Sequence, residues 1–104
     1  MQFEEIKKRA LEIKKKYGEL EIKKYGKVWG GRELMEGFVG DVGDLMKLIM
    51  VKEGVRKIDG DIDQKLAHEL ADCLWSVLVL ADEYDVDLEE SFVRTMDELE
   101  KRIK

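Results

Sequence analysis

Two short acidic runs carry the residue types best suited to chemistry. Gly40-Asp41-Val42-Gly43-Asp44-Leu45 and, downstream, Glu69-Leu70-Ala71-Asp72 each hold two carboxylates three residues apart. Both lie in segments whose apolar residues recur at helical spacing, and positions i and i+3 of an α-helix share a face. Each run therefore aims two acids in one direction. Four carboxylates converging from two helices repel one another unless a positive charge sits between them. A hard divalent cation answers that need, since Mg²⁺ takes a few carboxylates and completes its shell with water and phosphate. The plainer alternative is four solvated surface acids in a chain where Asp and Glu number 24.

The surroundings of these acids favour a site. Between Glu36 and Lys47 the only charges are Asp41 and Asp44, and between Asp63 and Asp82 the only acids are Glu69 and Asp72. An acid kept on a buried helix costs several kcal/mol unless it is paired or coordinates a metal.

The rest of the chain must supply the helices that position them. At 104 residues it is read as one domain, residues 1–104, small enough to gain from oligomerisation. Proline is absent and charged residues make up 41% of the sequence, with Lys and Glu dominant, a bias toward helix over strand. A net charge of −5 argues against a nucleic-acid duplex as partner. Cys73 stands alone, so a disulfide framework is excluded and a reducing, cytoplasmic setting is expected. The longest apolar run, Cys73 to Ala81, is interrupted by Ser76 and too short to span a bilayer, so no membrane partner is expected. The N-terminal residues lack a signal-peptide core.

Periodicity divides the chain into four helices. Phe3, Ile6, Ala10, Ile13 and Tyr17 mark the first, with Gly18 as its stop and Glu19–Tyr25 as a further turn or two. The second runs from about Arg32 to Lys52 and is closed by Gly54. Within it, Gly37, Gly40 and Gly43 each cost about 1 kcal/mol against alanine. They imply close helix–helix packing, a close ligand or a local break. Asp59, Asp61 and Asp63 resemble a calcium loop only superficially, because Gln64 and Leu70 fall where an EF-hand needs glycine and glutamate. Asp61 instead reads as a helix cap with Gln64 completing a capping box.

The third helix, about Ile62 to Tyr84, is apolar nearly all round, which implies a central place or burial by a second subunit. The fourth, about Leu88 to Ile103, starts at an Asp87/Glu90 capping box and offers Phe92, Met96, Leu99 and Ile103 to the core. Met35, Met46 and Met50 read as core filler, Cys73 as core, and His68 as a surface or interface residue. The expected fold is all-α, a four-helix bundle protomer assembled as a homo-oligomer.

The two acidic runs, together with Cys73-Leu74-Trp75, Leu80-Ala81-Asp82 and Asp87-Leu88-Glu89-Glu90, resemble the MazG-like all-α nucleoside triphosphate pyrophosphohydrolases, a superfamily that includes dimeric dUTPases and dCTP pyrophosphatases. Their signature is Glu-x-x-Glu on one helix and Glu-x-x-Asp on the next, and the likeness spans roughly residues 29–104. It implies Mg²⁺-dependent hydrolysis of a nucleoside triphosphate to the monophosphate and pyrophosphate, with Mn²⁺ as the alternative cation. Asp41, Asp44, Glu69 and Asp72 are then the metal ligands and catalytic acids, with Asp41 or Asp44 as the alternative general base. Trp29 is placed to hold a base, against its alternative as a core or interface residue, and Arg102 to reach the phosphates. A homodimer or homotetramer is implied.

The chain also departs from that pattern. Both glutamates of the first motif are aspartates, one methylene shorter, so helix spacing or cation position must adjust. Gly40 stands where some members have a further glutamate, and Ser76 where some have a tyrosine. Thr95 and Leu99 replace a lysine and an asparagine that reach the phosphates in relatives. A non-catalytic oligomerisation or nucleotide-binding module derived from the family is therefore the alternative function.

Overall fold

A computed structural model describes residues 1–103 as four α-helices, with no β-strand among them: α1 Phe3–Tyr25, α2 Gly31–Lys52, α3 Ile62–Glu83 and α4 Leu88–Arg102. None of the helices is long and apolar enough to cross a membrane. The residues group into two compact units, one of Met1–Val28 with the chain from Leu78 onward, the other of Trp29–Val77.

In the first unit, α1 passes through Gly18 without a break and ends at Gly26, whose φ of 77° places it in the left-handed region. This corrects the stop expected at Gly18. The amide of Gly26 closes the helix on the Ile22 carbonyl at 2.9 Å. The chain then brings Val28 back against Gly18, where a Cβ would lie 3.5 Å from a Val28 methyl. A Cβ at Gly18 would make ordinary contact with Val28. Ala10, Leu78 and Val79 are buried in this unit. Tyr17, on the apolar stripe of α1, is exposed, as are Phe92, Met96 and Leu99 of α4 and Ile103 just past its end. The apolar stripe of α4 exists as the sequence implied, but the chain itself leaves it uncovered. Asp87 caps this helix by accepting from the Glu90 amide at 3.1 Å, while the Glu90 carboxylate also bonds Arg94 one turn on.

The second unit is a helical hairpin. Glu33 in the first turn of α2 accepts from the Gly30 amide at 3.2 Å, which satisfies a donor at the helix start. At the other end Gly54, with φ 79°, lets Val55 donate to the Met50 carbonyl and Gly54 to that of Val51, a Schellman closure. The Asp61 carboxylate then opens α3 by accepting from the amides of Asp63 and Gln64 at 2.9 and 3.3 Å. Lys52 reaches Asp63 at 2.8 Å and Lys65 bonds the Asp59 carbonyl, so the connecting loop is tied at both ends.

Along α2, Leu34, Phe38, Asp41, Leu45 and Leu48 are buried or half-buried at alternating intervals of four and three, which defines its inward face. Ile62, Leu66, Glu69, Cys73 and Ser76 do the same for α3. The packing faces of the hairpin therefore carry Asp41 and Glu69. A second stripe on α2, offset by one residue, is apolar and exposed: Met35, Val39, Val42, Met46 and Ile49. On α3, Leu70 and Leu74 are 51% and 52% exposed. These positions correct the reading of Met35 and Met46 as core filler, and of the two alternatives for α3 they leave burial by a second subunit rather than a central place in the chain. The reason is geometric: a two-helix hairpin covers one face of each helix, and these side chains lie outside it. α2 is unbroken across Gly37, Gly40 and Gly43, and a Cβ at any of the three would meet nothing within 4 Å. Neither a break nor close packing within the chain explains them.

Candidate metal centre

Asp41 faces inward from the middle of α2 and Glu69 from the middle of α3, with Asp44 one turn further along α2 at the edge. One carboxylate oxygen from each of Asp41, Asp44 and Glu69 can be chosen so that all three lie within 4.8 Å of one another. Around a single Mg²⁺ at about 2.1 Å from each oxygen, two ligand oxygens stand about 3 Å apart when adjacent and about 4.2 Å when opposite. The spacing of the three acids is of the order that one shared ion requires. The shortened aspartate arms have not broken the convergence. Glu69 Oε1 is fully buried and accepts no hydrogen bond, an orphaned charge-bearing atom whose burial costs free energy unless a cation or donor meets it. An all-oxygen set with one orphaned atom fits a hard divalent cation.

Electrostatics record the same crowding. The Asp41 carboxyl is pushed above the usual range first by burial and then by the charges of Asp72 and Asp44. Glu69 is raised by burial, then by Asp41, Asp44 and Asp72, with a small opposing pull from His68. In both cases burial and like charge disfavour the ionised form. Half-buried Cys73 also lies within this field: burial, then Glu69, Asp41 and Asp72, push its thiol upward, which keeps it protonated and unreactive at neutral pH.

Asp72, the fourth acid, contributes to raising Asp41 and Glu69 but stands outside the converging set. Its Oδ2 lies 3.2 Å from His68 Nε2, four residues back on the same helix. His68 is thus a partner of a motif acid rather than a bystander, and its i,i+4 spacing to Asp72 was the signal available in the sequence. Trp29 is partly exposed just before α2, whose start lies about 15 Å along the axis from Asp41. Arg102 is exposed as the last residue of α4, in the other unit. Of the cations on α2, Arg32 pairs with Glu36 at 3.2 Å and Lys52 with Asp63, while Lys47 is exposed one turn beyond Asp44.

The family model of the MazG nucleotide pyrophosphohydrolase domain matches residues 43–104. The chain belongs to the MazG family. The match takes in Asp44, Glu69 and Asp72, the whole of α3 and α4, and begins two residues after Asp41. No curated protein and no solved structure matches the chain. The MazG assignment and the convergence of acids are independent observations, one from sequence similarity and one from geometry. They meet on the same two helices.

Proposed function

We propose that this MazG-family chain is a Mg²⁺-dependent nucleoside triphosphate pyrophosphohydrolase, releasing a nucleoside monophosphate and pyrophosphate in the cytoplasm. The observation that carries the reading is the convergence of Asp41, Asp44 and Glu69 around a buried oxygen with no partner. Asp41, Asp44, Glu69 and Asp72 hold the cation, with Mn²⁺ able to replace it. When bound, the ion neutralises phosphate charge and lowers the pKa of an attacking water. Asp41 or Asp44 orients that water and accepts its proton. Glu69, fixed on the inward face of α3, sets the position of the ion relative to α2. Trp29 stacks on the base, at a distance from the acids comparable to the span of an extended nucleoside triphosphate, and Arg102 meets the phosphates.

The exposed apolar stripe of α2, with Leu70 and Leu74 of α3, supports a homodimer or homotetramer. Residues 1–104 act as one functional domain in this reading.

The test is pyrophosphate release from a panel of standard and modified nucleoside triphosphates with Mg²⁺, with the Glu69→Gln, Asp72→Asn double variant as control. Turnover that the control abolishes supports the enzyme and names its substrate class. A folded oligomer without turnover on any of them supports the alternative, a nucleotide-binding or oligomerisation module, which the exposed Thr95 and Leu99 of α4 favour because neither supplies a charged contact to phosphate.

A further inference from the structure

Three of the four motif acids converge, and the fourth is engaged elsewhere. Asp41, Asp44 and Glu69 offer oxygens within 4.8 Å of one another, whereas Asp72, one turn beyond Glu69, is bonded to His68 at 3.2 Å. The two positions are spaced i,i+4 on α3, so the contact lies along one helix face and needs no tertiary support. His68 and Asp72 are respectively 76% and 47% exposed at the side chain, so both are free to exchange partners.

We infer that His68 is a positioning residue that holds Asp72 at the rim of the centre, so that a divalent cation must compete with the imidazole for this fourth carboxylate. The inference rests on the metal-centre reading above and adds to it an internal competitor for one ligand. A cation first meets the preformed set of Asp41, Asp44 and Glu69. Asp72 joins only when its Oδ2 leaves the imidazole Nε2. The contact thus lowers cation affinity at rest.

Mn²⁺ binding to the full chain, measured calorimetrically and by the loss of the free-ion electron paramagnetic resonance signal, tests this without any turnover. Replacing exposed His68 by Ala leaves the helix intact, so the variant is expected to fold. His68→Ala is expected to bind Mn²⁺ about three- to tenfold more tightly, the range set by one exposed hydrogen bond to a charged partner. His68→Gln, whose amide can still donate to Asp72, should return the affinity to that of the unmodified chain. In an Asp72→Asn background the His68→Ala substitution should change nothing. An unchanged or weaker affinity in His68→Ala overturns the inference, as does an equal gain with Asp72→Asn present, which would mean that only the imidazole's charge mattered. Failure of the unmodified chain to bind Mn²⁺ at all overturns the metal-centre reading itself, an outcome distinct from both.

Discussion

Lys52, the last residue of α2, donates to Asp63 in the first turn of α3 across 2.8 Å, closing the hairpin whose two arms carry the motif acids. The bond raises the Lys52 ammonium above its ordinary range, chiefly through the Asp63 carboxylate. A raised lysine contributes its stabilisation fully at neutral pH and loses it only as pH climbs through the raised value. Both side chains are substantially exposed, so solvent screens the pair. Lys52→Met should therefore lower the melting temperature by no more than a few degrees at low salt, and 1 M NaCl should erase the difference. A large loss that survives high salt would show that Lys52 packs rather than pairs.

The glycines divide by backbone rather than by position in the sequence. Gly26 sits at φ 77° at the end of α1, where a Cβ is strained whatever the space around it. Gly26→Ala should cost about 1 kcal/mol. Gly37 is helical, and a Cβ there meets nothing within 4 Å of the chain. Gly37→Ala should stabilise the isolated subunit by up to about 1 kcal/mol through helix propensity. Asp85 is the complementary case, a non-glycine at φ 55° closing α3, where Asp85→Gly should be neutral or stabilising. Chemical denaturation of the three variants reads the signs directly.

Much of this was legible before any coordinates. The four helices follow from 3.6-residue periodicity, the caps at Asp61 and Asp87 from residue type, and the acidic pairs from their i,i+3 spacing. Periodicity identifies an apolar face but not what covers it, and so it points Phe92, Met96, Leu99 and Met46 to a core that a single chain does not form around them. A glycine inside a helix and a glycine that ends one look alike in sequence, and it is the left-handed φ of Gly26 that marks the end of α1. At the site, i,i+3 spacing puts Asp72 one turn from Glu69 on α3, but which of its possible partners an acid takes is a matter of side-chain direction. His68 decided it.

Glu69 offers a pH test of the centre. Its carboxyl is raised in the folded chain, so between the ordinary glutamate range and the raised value the native state binds more protons than the unfolded state. Stability contributed by this group must therefore fall as pH rises through that interval and stay low above it. Glu69→Gln removes the ionisation. Without metal it should match the unmodified chain near pH 4 and melt a few degrees higher near pH 7.5. Millimolar Mg²⁺ should then raise the melting temperature of the unmodified chain and leave Glu69→Gln nearly unmoved. Equal metal responses in the two proteins would remove Glu69 from the centre.

The apolar stripe of α2 makes the strongest claim on a second copy of the chain. Val39 and Met46 are 60% and 58% exposed, and together with Met35, Val42 and Ile49 they recur at intervals of four and three over four turns. That is the spacing of a helix seam, and apolar area of this extent on an isolated subunit is unfavourable in water. The acids lie on the adjoining inward face, so charge at Val39 and Met46 should break assembly while leaving the hairpin folded. Sedimentation equilibrium is expected to give a dimer or tetramer for the unmodified chain. The Val39→Glu, Met46→Glu variant should give a monomer of undiminished helix content by circular dichroism. An unmodified chain that sediments as a monomer at tens of micromolar would refute the assembly. A double variant that stays oligomeric would move the interface off this face of α2.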